Sequence, residues 1–347
     1  MDAKVVKSQS WGGQNREKYL DYLRFMATFA VIVEHVVAEG YRMHSISSSG
    51  WYIAVIADSL VRWCVPIFVM ISGALFLKPE KEITINLIIK KYVKRLLIAY
   101  CFWYIAYVCM YIIIESAKAG TLILQADFFK PQFHLWFLPM LMAVYLLMPI
   151  LRIVASSEKI LKYSLVLWFT YITLSFCIGW DIPQFSKLFV MNIVIGYSGY
   201  YLLGYYLASK VFTRRYMFCI IFLGIIGIIV KAIGNIILSI NNGEADNSFL
   251  FELGPHIVLT ASAVFVTIKY YENKISNRYV MKVIESTRKD LFGIYLIHGV
   301  WLYLFIRYYD MSSPILTIPL ISIIIFAFSF ISSKLMRRGR LLKTLVE

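Results

Sequence analysis

Acidic residues are scarce: 20 Asp and Glu stand against 35 Lys and Arg in a chain of 347. Charge of either sign is sparse too. Charged residues make up 16% and apolar residues 60%, where soluble domains run near ~25% and ~45–50%. Mean hydropathy is +0.70. This composition excludes a disordered chain and an ordinary soluble enzyme. The five cysteines, at 64, 101, 109, 177 and 219, are odd in number, lie in apolar runs and show no CxxC spacing. Neither a disulfide framework nor a zinc site is indicated. The absence of HxxxH and HExxH gives no reason to expect a metal. No GxxxxGK[ST], GxSxG or GxGxxG context occurs, so nucleotide hydrolysis, a soluble-hydrolase elbow and a Rossmann site have no support. There is no 20–50-residue repeat and no long linker. No small-residue cleavage site follows the first apolar stretch, which reads as a retained span rather than a signal peptide.

What is abundant is long apolar sequence. A bilayer core of ~30 Å needs about 20 apolar helical residues. Such stretches lie at roughly 20–40, 51–77, 96–115, 134–151, 163–179, 188–208, 216–240, 251–268, 290–309 and 313–333. The expected fold is therefore all-α and polytopic, with about ten transmembrane helices. A tail at 1–19 precedes a membrane domain at 20–333, and a basic tail follows at 334–347.

Cations sort by side of the membrane. Counted loop by loop, 27 of the 35 Lys and Arg fall in the two tails and alternate loops. The densest group is Lys90, Lys91, Lys94 and Arg95. The opposite loops hold five: Arg42, Lys118, Lys130, Lys187 and Arg307. Positive loops stay cytoplasmic, so both termini are expected there. The same asymmetry accounts for most of the +15 net charge without nucleic acid as a partner.

Ionisable residues inside spans are costly and mark functional sites by default. The first span holds Asp21, Arg24, Glu34 and His35. Arg24 and His35 are eleven residues apart, close to three helical turns, so they share a stripe with a rise of ~16 Å. Glu34 is rotated ~100° from His35. His134, His256 and His298 fall where they can reach the half of the membrane that holds His35; His44 reads as a solvated loop residue. Asp58 and Arg62 are spaced to pair along one helix. Lys231 reads as a residue near a helix end that snorkels to the interface. The Lys90–Arg95 run sets topology, and is also what a phosphate-rich cytosolic donor would need.

These residues form a pattern. Arg24-x10-His35 resembles the signature of the membrane acyltransferase-3 family. Further matches are Val65-Pro66-Ile67-Phe68-Val69-Met70-Ile71-Ser72-Gly73, His134-Leu135-Trp136-Phe137-Leu138 and Gly293-Ile294-Tyr295-Leu296-Ile297-His298. The resemblance covers essentially the whole chain and is nearest the standalone branch that O-acetylates surface polysaccharides. One departure concerns the Arg-x-x-Arg that family members often carry before the third span. Here Lys91-x-x-Lys94 and Tyr92-x-x-Arg95 compete for that register.

The resemblance implies a bacterial cell-membrane enzyme that takes acetyl-CoA as acyl donor and modifies a hydroxyl of a surface glycan or its lipid-linked precursor. On this reading Arg24, Lys91, Lys94 and Arg95 hold the CoA phosphates. His35 either deprotonates the acceptor or carries the acyl group transiently, with Glu34 or His134 orienting or relaying. Arg62, His256, His298 and Tyr295 are candidate substrate-binding residues, and no metal takes part. The rival class is a glycan exporter with intramembrane His and Arg as a proton relay.

Overall fold

The structure is a computed structural model. It describes residues 17–121, 134–178, 189–246, 248–249, 252–272, 274, 278–305, 313–340 and 342–346, with the side chains of 189–192 excepted. The expected tail cations Lys4, Lys7 and Arg16, and the loop cations Lys130, Lys187 and Arg307, lie outside the described residues.

Among the described residues the fold is all-helical, without strands. The helices are α1 (Lys18–Met43), α2 (Ser49–Val61), α3 (Cys64–Phe76), α4 (Lys94–Ala119), α5 (Phe137–Ser156), α6 (Glu158–Ile178) and α7 (Phe189–Ser209). They continue with α8 (Arg214–Asn242), α9 (Pro255–Tyr270), α10 (Arg278–Thr287), α11 (Leu291–Phe305), α12 (Pro314–Met336) and α13 (Lys343–Val346). Among the described residues six segments are long and apolar enough to cross a membrane: Ser49–Phe76, Ile85–Ala119, Phe137–Ser156, Glu158–Ile178, Arg214–Asn242 and Pro314–Met336. Two shorter apolar helices are Pro255–Tyr270 and Leu291–Phe305. The chain is a multi-pass membrane protein.

The polar helix α1 sits at the centre, packed on α2, α3, α9, α11 and α12. That position covers side chains which lipid would not tolerate, such as buried Asp21 and Glu34. The α3–α7 crossing is tight. A Cβ on Gly73 would strike the Tyr201 carbonyl, and one on Gly204 would strike the Met70 carbonyl. Small residues at such crossings let membrane helices approach closely.

Two expected elements differ. The stretch at 51–77 is broken at Arg62–Trp63 rather than continuous. Pro66 has no N–H to give the Arg62 carbonyl, and its ring crowds that oxygen. The Lys90–Arg95 run, expected as a loop, is helical: Ile85–Leu87 leads through a π-turn, Ile88–Val93, into α4. Within it the Lys94 N–H reaches back to the Ile89 carbonyl, which inserts one residue into the helical register.

Candidate active site

A cavity of about 390 Å³ opens between α1, α3, α4, α5 and the turn into α11. Arg24, Arg95, Arg288 and Lys289 line it together with Ser72, Tyr92, Tyr145 and Tyr295, and no carboxylate among the described residues does. Apolar side chains, among them Phe68, Ile71, Phe137 and Leu141, complete the wall. Arg24 and Thr28 project from the same stripe of α1, and the Thr28 hydroxyl donates to the Arg24 carbonyl at 2.8 Å. Arg24 also pairs with Asp21 at 3.4 Å. The guanidinium of Arg95 lies 5.1 Å from the centre of the Phe292 ring.

The π-turn decides the register that sequence leaves open. Tyr92 and Arg95 face the cavity. Lys91 and Lys94 are exposed and absent from its wall, the Lys91 ammonium lying 5.9 Å from the Tyr92 ring.

Beyond Tyr295 the side chains change character. The Tyr295 hydroxyl donates to the backbone carbonyl of His134. The His134 ring lies 4.7 Å from the His298 ring, centre to centre, and His298 stacks on His35 at 5.3 Å and 19°. Three imidazoles from α1, α11 and the turn before α5 thus form one cluster. His134 and His298 are buried and His35 is half-buried. One ring nitrogen of His298, Nδ1, faces the Tyr295 carbonyl. Its Nε2 is buried without a hydrogen-bond partner among the described residues. Gly299 makes room for the cluster, since a Cβ there would lie 2.7 Å from His134 and 2.8 Å from the Tyr107 hydroxyl. Among the described residues no His, Cys, Asp and Glu group is arranged to hold a metal ion.

Glu34 belongs to a different group. Its carboxylate accepts from Arg62 at 2.6 Å and from the Cys64 thiol at 2.8 Å. Arg62 also pairs with Asp58 and lies 3.8 Å from Glu252. Asp58 in turn pairs with Lys231. Lys231 does not snorkel as expected: it is fully buried, at 0% exposure. Its partner Asp58 comes from α2, and no local pattern in α8 announces that contact. His256 stands apart from both groups. Its Nε2 is 3.4 Å from the Phe249 carbonyl, and Phe176 packs on its ring.

Of the expected site residues, then, Arg24, Arg95 and Tyr295 line one cavity, and His35, His134 and His298 adjoin it through Tyr295. Glu34 and Arg62 share a buried ion network, while Lys91, Lys94 and His256 lie elsewhere. Arg288 and Lys289 were legible only as loop cations.

The family model described as an acyltransferase domain, acyltransferase-3, matches residues 17–334. The chain belongs to the acyltransferase-3 family. No curated protein and no solved structure matches the chain. As an acyltransferase-3 protein it is a membrane acyltransferase, and both the cation-lined cavity and the imidazole cluster lie within the matched domain.

Proposed function

We propose that this acyltransferase moves an acetyl group from acetyl-CoA, bound at the cytoplasmic end of the cavity, to a hydroxyl of a surface glycan or its lipid-linked precursor in the cell membrane. One observation carries the reading. A cavity rich in cations, with no lining carboxylate among the described residues, leads to Tyr295, whose hydroxyl bonds the backbone of His134, one of three clustered imidazoles.

Phosphates of the donor are held by Arg24 and Arg95, whose guanidiniums stay charged and donate in a fork. The rise of ~16 Å from Arg24 to His35 is spanned by the slender arm of the carrier, between Phe68, Ile71 and Phe137. At the far end His35 takes the proton of the acceptor hydroxyl. The hydroxyl oxygen attacks the thioester carbonyl, the C–S bond breaks, and the imidazolium returns the proton to the departing thiolate. Products are an ester and the free thiol. The neutral imidazole accepts the first proton, and the imidazolium so formed gives it back. His134 and His298 pack around His35 and hold its ring in place. The Glu34–Arg62–Asp58–Lys231 network anchors the turn of α1 that presents His35.

Transfer of radiolabelled acetyl from acetyl-CoA by the purified protein, with surface glycan extracts as acceptor, tests the reading. Acceptor-dependent labelling that is lost with His35→Ala is expected. Export of unmodified glycan by proteoliposomes, without labelling, would overturn it.

A further inference from the structure

Arg288 and Lys289 have no part in the pattern that marks the family resemblance above, yet both line the cavity. They sit on the turn between α10 and α11, with Arg288 half-buried and Lys289 exposed. Neither side chain makes an ion pair among the described residues, whereas Arg24 has Asp21.

The turn that carries them is held rigidly from behind. Asp290 is completely buried. Its carboxylate accepts from Arg337 Nε at 3.0 Å and Arg337 Nη2 at 3.2 Å, and from the Ser333 hydroxyl at 3.2 Å. A bidentate fork of this kind fixes orientation as well as distance. Arg95 closes the other side by stacking on Phe292. The backbone of the turn is therefore anchored where both cations line the wall, and no carboxylate among the described residues lines it. Like charges gathered this way repel, and the arrangement is favourable when a polyanion sits among them.

We propose that Arg288 and Lys289 form a second anion-binding pair that works with Arg24 and Arg95. The ligand it fits bears phosphate groups at more than one position, so that one group meets Arg24 and Arg95 and another meets the α10–α11 turn. The inference rests on the donor reading above for the identity of that ligand, but the pair itself is a property of the cavity.

Calorimetry on the full-length protein in detergent tests it with three probes: CoA, dephospho-CoA and inorganic pyrophosphate. Wild type is expected to bind CoA, and Arg288→Gln with Lys289→Gln to bind it ten- to a hundredfold more weakly, the scale of one or two charge-assisted hydrogen bonds. The loss should shrink with the probe that lacks the phosphate the pair contacts. Arg288→Lys, which keeps the charge, should recover part of the binding and shows that the effect is not misfolding. Equal CoA affinity in wild type and the double Gln variant would overturn the second pair while leaving the donor reading intact. If wild type fails to bind CoA, the donor reading falls. Pyrophosphate then decides the pair: binding that the Gln variant loses supports it, and no difference between the two proteins sinks it.

Discussion

At the scale of single residues, two kinds of polar group share α1 and face different surroundings. Arg24 faces a cavity, and His35 faces two other imidazoles. Replacing Arg24 by Ala should raise the dissociation constant for CoA about tenfold or more, the worth of a charge-assisted contact, with calorimetry as the measurement. His35→Ala should leave that constant unchanged and lower turnover on the order of 10²-fold or more. Near-wild-type turnover would remove His35 from proton transfer. Glu34, its neighbour in sequence, points instead into the ion network with Arg62. One step of ~100° along a helix is enough to give the two side chains different partners.

Within that network, Lys231 and Asp58 are both at 0% exposure. Removing one partner of a buried pair leaves an uncompensated charge and costs roughly 3–5 kcal/mol, while replacing both by apolar groups is often neutral. Lys231→Met should therefore lower the melting temperature in detergent strongly. Asp58→Leu combined with Lys231→Met should recover part of that loss, though Asp58 also bonds Arg62 and recovery will be incomplete. A double variant no more stable than the single would show that the pair is not coupled.

Among the elements, two departures from regular helix place the site. The break before α3 follows from Pro66, and it puts Arg62 at the helix end where it reaches Glu34 and Asp58. The π-turn Ile88–Val93 turns Arg95 to the cavity and Lys94 away from it. Deleting one residue from the π-turn, for example Ile89, should restore an ordinary helix and shift the side chains that follow by ~100°. CoA affinity should fall in that variant although every cation is retained. Affinity equal to wild type would separate Arg95 from donor binding.

For the whole molecule, the expectation is that both termini lie in the cytoplasm, because cations crowd one set of loops. Asn242 ends α8 and is exposed, so Asn242→Cys should react with a membrane-impermeant maleimide on intact cells. Labelling that appears only after permeabilisation would invert the orientation, and with it the side of donor entry proposed above.

Composition and hydropathy alone determined that the chain is a helical membrane protein, because runs of about 20 apolar residues suit only one solvent. The Arg24-x10-His35 spacing was likewise legible, since helical periodicity is local and three turns return a side chain to the same stripe. Pro66 was visible too, although its effect was not read from it. What tertiary structure decided was who meets whom. His134 and His298 come to His35 from segments about a hundred or more residues away in the chain. Lys231 finds Asp58 in another helix, and Arg288 and Lys289 join Arg24 and Arg95 at one cavity. Such meetings depend on how helices cross and on small residues such as Gly299 that let rings approach. A one-dimensional pattern shows the face a residue occupies on its own helix, but the partner of that face is set by packing across the bundle.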